Sequence, residues 1–255
     1  MDFATPIGIV LALGAVLTAI ILEGSSPMSV MLPAPMMLVI GGTIGAGLAT
    51  TMLPDFLRAF RALPGYLAFK RPDTTATVEL LVSLTDRARR EGLLALEDAA
   101  RDVDDPFLRD GLQSAIDGMD PEDLRETLEA RIDARRARDK VVAKLFTDMG
   151  GFAPTIGIIG TVVSLVHVLE NLADPSSLGH MIAAAFVATL WGLLSANLIW
   201  LPIAARVKRV SEIECAQMEM VMEGLLAVQA GSSPRVVGQR LRSLAGEEES
   251  AKEAA

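Results

Sequence analysis

The chain has 255 residues, 51% of them hydrophobic but only 4% aromatic, and a mean hydropathy of +0.41. A formal net charge of -9 leaves no surplus of Lys and Arg to neutralise phosphates, which excludes a nucleic-acid binder. A single Cys excludes an internal disulfide framework and a cysteine metal cage, and the apolar excess in Ala, Leu, Ile, Val, Met and 21 Gly matches closely packed membrane helices better than a soluble core.

Four runs without Asp, Glu, Lys or Arg follow in chain order. Phe3 to Leu22 holds twenty residues, and Gly24 to Pro54 holds thirty-one, most apolar from Leu32 to Leu53. Met149 to Leu169 holds twenty-one, and Pro175 to Ala205 holds thirty-one, apolar mainly from Met181 onward. At roughly 1.5 Å per residue each can cross a hydrocarbon layer of about 30 Å. The first run does not read as a cleaved signal peptide, because Asp2 stands where a basic n-region belongs and no A-x-A site precedes Glu23. Sixteen of the 23 basic residues lie between Arg58 and Lys144 and seven between Arg206 and Lys252, so the loops Glu23 to Met31 and Glu170 to His180 hold none. By the positive-inside rule the middle segment and both termini are cytoplasmic. The expected fold is all-α: a polytopic membrane protein with four transmembrane helices at 3–22, 32–53, 149–169 and 181–204. A helical cytoplasmic domain at 55–148 separates helices two and three, and a cytoplasmic C-terminal helix and tail occupy 205–255.

The middle segment has helical periodicity. Thr74 to Arg90 places Val78, Leu81, Val82 and Leu84 on one face, and Gly92 reads as a stop. A second helix is expected from Leu93 to about Val103 and a third after Pro106. Asp120-Pro121 has the form of an N-cap followed by proline at the first helical position. It opens a long helix whose Leu124, Leu128, Ile132, Val142 and Leu145 lead into the third apolar run. Ser211 to Gln229 continues as an amphipathic helix after the basic Arg206-Val-Lys-Arg209, and Gly246 to Ala255 is expected to fray.

A membrane protein that moves ions normally keeps an ionisable group at depth. None lies at depth in these runs: Glu23, Glu170 and Asp174 fall at the outer edge, and His167, about one turn inside it, reads as an interfacial side chain bonded to a neighbour in preference to a proton relay. If ions cross here, a partner chain supplies the carboxylate. Pro154, Gly157, Gly160 and Ser164 follow steps of three and four and give one narrow face, which fits plain helix packing or a seam against a partner. Pro154 frees the carbonyl of Gly150 and predicts a kink, and Pro202 predicts a second beside Asn197. Thr155, Thr161 and Thr189 are candidates to line the seam, and Trp191 and Trp200 read as packing residues or interface anchors.

The string Gly151-Phe-Ala-Pro-Thr-Ile-Gly-Ile-Ile-Gly-Thr-Val162, with Ala185-Phe-Val-Ala-Thr-Leu-Trp-Gly192 and Ala196-Asn-Leu-Ile-Trp-Leu-Pro-Ile-Ala204, resembles the MotA family of flagellar stator subunits, which includes the sodium-driven PomA proteins. Ala88-Arg-Arg-Glu-Gly-Leu-Leu-Ala-Leu-Glu97 resembles that family's rotor-facing motif. The resemblance implies a ring of five such subunits around a dimer of MotB, which supplies the membrane aspartate, in the inner membrane among its lipids. Pro154 and Pro202 match the family's coupling prolines, and Thr155, Thr161, Ala188 and Thr189 fall along the implied ion pathway. Arg89 and Glu97, with Arg90 beside them, match the charges that meet the rotor protein FliG. Exposed ion pairs contribute only about 0 to 1 kcal/mol each, which suits repeated engagement.

Sodium-driven relatives resemble one another in carrying Thr-Thr in helix four, whereas this chain has Ala188-Thr189. A sodium site needs several oxygen ligands and a proton needs only a carboxylate and water, so the translocated ion is expected to be H+, with no resident cofactor or metal. Two other readings are a related energising subunit of the ExbB and TolQ type and a self-sufficient channel or carrier. No nucleophile, paired carboxylate site, phosphate loop or metal-ligand cluster stands out, so no enzyme is expected.

Overall fold

The computed structural model describes residues 4–172 and 175–245; Asp2, Phe3, Asp174 and the tail Gly246 to Ala255 lie outside the described residues. Among the described residues every regular element is helical: α1 (Ala4–Leu22), α2 (Pro33–Ala49), α3 (Leu53–Leu67), α4 (Thr74–Glu91), α5 (Glu97–Arg101), α6 (Pro106–Ile116), α7 (Pro121–Glu170), α8 (Pro175–Ser195), α9 (Leu201–Gln229) and α10 (Pro234–Ala245). The chain divides into two compact units, Met1–Lys70 with Asp139–Val210 and Arg71–Arg138 with Ser211–Ala255.

The first unit is apolar. Three helical stretches are long and apolar enough to cross a membrane: Thr5–Leu22, one within Pro121–Glu170 and one within Leu178–Gln229. The second apolar run forms a shorter helix than the sequence predicts. Instead of 32–53, α2 covers Pro33–Ala49, 17 residues or about 26 Å. Met52 is the extended N-cap of α3, with ψ 142°, and Pro54 sits in the first turn of that helix, while the Thr50 hydroxyl bonds back to the Gly47 carbonyl at 2.9 Å. The apolar character therefore outlasts the helix. Its core joins Phe146, Met149, Ala153, Ala196 and Trp200 with residues of α3. An aromatic series runs through it: Phe56 to Phe60 at 4.8 Å, Phe60 edge-on to Phe146 at 5.3 Å, and Phe146 stacked on Trp200 at 6.4 Å. Trp200 is thus a packing residue, whereas Trp191 anchors a loop by donating its indole N–H to the Val30 carbonyl at 2.7 Å.

Two prolines sit inside long helices with different outcomes. The helix α7 continues without interruption through Pro154. Ahead of Pro202 the backbone widens into a π turn over Ala196–Trp200. Proline lacks an N–H, and its ring would strike the Leu198 carbonyl in a regular α-helix; the i→i+5 turn relieves that conflict. The Asn197 amide donates to the Leu193 carbonyl at 2.9 Å in the same turn.

The second unit is amphipathic. Val78, Leu81 and Leu84 from α4 meet Leu124, Leu128 and Ile132 from α7 and Val221, Leu225 and Val228 from α9 in one core, with Val82 packed at its edge. Val142 and Leu145, from the same periodic series on α7, belong to the core of the first unit. Caps follow the sequence: Asp73 accepts from the Ala76 amide at 3.0 Å, Asp105 from Phe107 at 2.9 Å and Asp120 from Glu122 at 3.0 Å. Gly92 ends α4 with φ +85°, a conformation that side chains disfavour. The stretch expected as one helix from Leu93 to Val103 is a 3-10 turn, Leu93–Leu96, followed by the single turn of α5. Ion pairs lace the exposed faces, including Arg136 to Glu219 at 2.6 Å, Arg240 to Glu223 at 2.6 Å and Arg135 to Glu214.

Candidate functional site

The glycines of α7 bring two backbones together. A Cβ placed on Gly157 would lie 2.9 Å from the Ala188 carbonyl oxygen and 3.2 Å from the Gly192 Cα; one on Gly192 would lie 2.8 Å from the Ala153 carbonyl oxygen and 3.3 Å from the Pro154 Cα. Gly160 is as tight, 2.8 Å from the Ala188 methyl and 2.9 Å from Leu38. The small-residue face read from the sequence is therefore occupied within the chain, by α8, with Ala188 wholly buried against it.

Polar groups bridge this dry contact. The Thr161 hydroxyl lies 3.1 Å from the Gly157 carbonyl, 3.0 Å from the Ala185 carbonyl and within hydrogen-bond reach of the Thr189 hydroxyl. Thr161 has one proton to give, so the set is satisfied when it donates to a carbonyl and accepts from Thr189. Thr155 stands apart from this pair. It is exposed, and its hydroxyl bonds back to the Phe152 carbonyl at 2.8 Å. Ile158, Val162 and Val166 continue an uncovered apolar strip along α7. The structure thus brings together Pro154, Thr161, Ala188 and Thr189 and leaves Thr155 and Pro202 outside that cluster. His167 is exposed, with the Asn171 amide and the Glu170 carboxylate beside it.

The sequence reading missed a polar network in the same unit. The Tyr66 hydroxyl donates to Asp139 at 2.7 Å, and the Arg206 guanidinium donates to the Tyr66 carbonyl at 3.2 Å. Asp139 is only 2% exposed. The three residues tie α3, α7 and α9 together across sequence separations of 73 and 140. The available signal was an Asp on the apolar stripe of α7, three residues before Val142, where a solvated face would not place it.

The charged corner is in the second unit. Arg89, Arg90 and Glu97 are all exposed, on the last turn of α4 and the first of α5. Arg90 pairs with Asp86 at 2.6 Å and Glu97 with Arg101 at 3.2 Å. Arg89 has no ion-pair partner among the described residues, which leaves its charge uncommitted. Leu94, 75% exposed on the 3-10 turn, stands between the two basic residues and Glu97 in sequence.

Comparisons with known proteins agree along the whole chain. The family model of the MotA/TolQ/ExbB proton channel family matches residues 99–220, and that of the motility protein A N-terminal region matches residues 6–92. Motility protein A of Bacillus subtilis (strain 168) is 38% identical over 248 residues, which is 94% of this chain and 90% of that protein. The structure of the flagellar MotAB stator complex from Bacillus subtilis matches with a TM-score of 0.90 at 34% identity, covering 99% of this chain and 100% of that chain. The structure of C. jejuni MotAB has the same fold, with a TM-score of 0.91 at 24% identity over 96% of both chains. The chain belongs to the motility protein A family.

Proposed function

We propose that this chain is a flagellar motor stator subunit that forms, with MotB, an ion channel converting inward proton flow into torque on the rotor. The observation that carries the reading is the match to a MotAB stator subunit over 99% of the chain. The match of residues 6–92 to the motility protein A N-terminal model favours a motor subunit over an energiser of the TolQ and ExbB type. In this reading α1, α2, the apolar part of α7 and α8 are four inner-membrane spans. Both termini and the second unit face the cytoplasm, five copies form a ring, and MotB contributes the aspartate that the apolar runs lack.

The residues then have distinct tasks. The Gly157 and Gly192 contact and the Thr161 and Thr189 pair hold α7 and α8 together as one body, because a desolvated hydroxyl pair is costly to separate. The exposed strip of Thr155, Ile158 and Val162 is left to meet the MotB helix. Pro154 removes the donor that would close on the Gly150 carbonyl, which makes this turn of α7 the easiest to bend. Proton drive follows from the oxygen count. The Thr161 and Thr189 hydroxyls are engaged with each other, and a methyl occupies position 188, so few oxygens remain to replace the water around a sodium ion. The uncommitted Arg89, with Arg90 and Glu97, forms the face offered to FliG, and Leu94 adds an apolar contact beside it.

The test is deletion in a strain with no second stator. Swimming stops while flagella are still assembled, and supplying this chain together with its MotB restores it. Swimming that persists, or that tracks external sodium and ignores a protonophore, contradicts the stator assignment or the proton assignment respectively.

A further inference from the structure

The chain passes between its two units three times, leaving the apolar unit after Lys70, entering it again at Asp139 and leaving it after Val210. Helices α7 and α9 run through the second and third crossings without a break, whereas residues 68–73 at the first are not helical. One network of the apolar unit has a member at each crossing: Tyr66 in the last turn of α3, Asp139 on α7 and Arg206 on α9. Asp139, at 2% exposure, and Arg206, at 9%, are also the only buried charged residues among the described residues.

We infer that Tyr66, Asp139 and Arg206 are positioning residues that fix the register of α7 against α9 where the chain leaves the apolar unit, so that movement begun among the membrane helices reaches the rotor-facing charges under load. The inference rests on the stator reading proposed above. Arg89, Arg90 and Glu97 belong to the other unit, so every covalent path to them from Pro154 runs through one of the three crossings. Tyr66 is gripped on two sides. Its hydroxyl donates to the Asp139 carboxylate at 2.7 Å, and its carbonyl, in the last turn of α3 where helical donors run out, accepts from the Arg206 guanidinium at 3.2 Å. Tyr66 packs in one apolar cluster with Val142, Phe146, Val207 and Val210. Apolar faces of two helices can meet in more than one register at similar energy, but these two directional bonds are made in one. Net stability is not what such a group supplies best, because apolar residues of similar volume often stabilise as well. A single register is what apolar packing alone does not supply.

The test uses the full chain with its MotB. Spin labels at Lys140→Cys on α7 and Lys208→Cys on α9, both exposed positions of the apolar unit, report the register in the purified complex, and the buried Cys215 stays unlabelled. The chain with Tyr66 intact gives one narrow label distance, and Tyr66→Phe, which keeps the ring in the cluster, broadens it. In a strain with no second stator Tyr66→Phe lowers torque on a heavily loaded tethered cell about twofold or more, as expected when one net hydrogen bond no longer holds the register. Proton uptake by vesicles carrying the same complex is unchanged. Asp139→Asn, which still offers an oxygen to the hydroxyl, gives the same split to a smaller degree. Proton uptake and torque that fall together would mean that the network only holds the fold, and would overturn the inference. So would undiminished torque at high load, or a label distance equally narrow in all forms. If the unsubstituted chain drives no swimming while Tyr66→Phe still broadens the distance, the stator reading fails and the register lock stands.

Discussion

Among the described glycines, the two at which a side chain would strike backbone most closely, Gly157 and Gly192, lie in the apolar unit, whose Gly47, Gly150 and Gly160 face side chains as Gly111 and Gly224 of the amphipathic unit do. In the apolar unit a side chain at Gly157 or Gly192 would strike backbone: a carbonyl oxygen at 2.9 or 2.8 Å and a facing Cα at 3.2 or 3.1 Å. In the amphipathic unit a side chain at Gly111 or Gly224 would strike the ends of leucines, Leu225 at 2.5 Å and Leu81 at 2.6 Å. Backbone cannot yield, and a leucine can change rotamer. The difference follows from the solvent each unit meets. Lipid offers no hydrophobic drive between helices, so attraction must come from backbones in contact and from hydroxyls without water to compete. Water drives leucines together, and exposed ion pairs then trim the surface at little net gain.

Substitutions at these contacts separate the two units. The largest effect is expected at Gly192→Val, which overpacks a backbone contact and destabilises by about 3 kcal/mol or more, so that the chain no longer accumulates in the membrane. Asp139→Ala leaves the buried Tyr66 hydroxyl without its acceptor and costs about 2 kcal/mol, while Asp139→Asn, which retains an acceptor, costs less; thermal unfolding of the purified complex separates them. Gly224→Ala should cost less, about 1 kcal/mol at the low end for core overpacking, because it meets the Leu81 side chain and no backbone. If Gly157→Ala proved no worse than Gly224→Ala, the contrast between the units would fail. The smallest stability effect is expected at Arg89→Glu, within about 0.5 kcal/mol for an exposed residue. Its consequence is functional: torque on a tethered cell falls while membrane levels hold, and a charge reversal on FliG restores it. Undiminished torque would remove Arg89 from the rotor face.

Much of the fold was legible because each solvent writes its own pattern. Uncharged length marked the apolar helices, and the period of Val78, Leu81 and Leu84 marked the soluble core face. The end of α2 was not legible, because Thr50, Thr51 and Met52 are as uncharged as the helix before them, and only Pro54 hinted at the stop. The fate of the glycine face was hidden for a similar reason. Spacing shows that Gly157 and Gly160 share a face but not which helix covers it, and α8 of the same chain does. The π turn was read only as a kink at Pro202, since one extra residue in a turn leaves no mark in hydropathy. The Tyr66, Asp139 and Arg206 network joins residues 73 and 140 positions apart, a separation that periodicity does not reach.

In the proposed mechanism this chain conducts protons only with a borrowed carboxylate. Vesicles carrying the chain together with its MotB, relieved of any plug that closes the channel, should take up protons under an imposed potential. Those whose MotB has its membrane aspartate replaced by asparagine, and those carrying this chain alone, should not. Proton uptake by the chain alone, equal to that of the complex, would contradict the account.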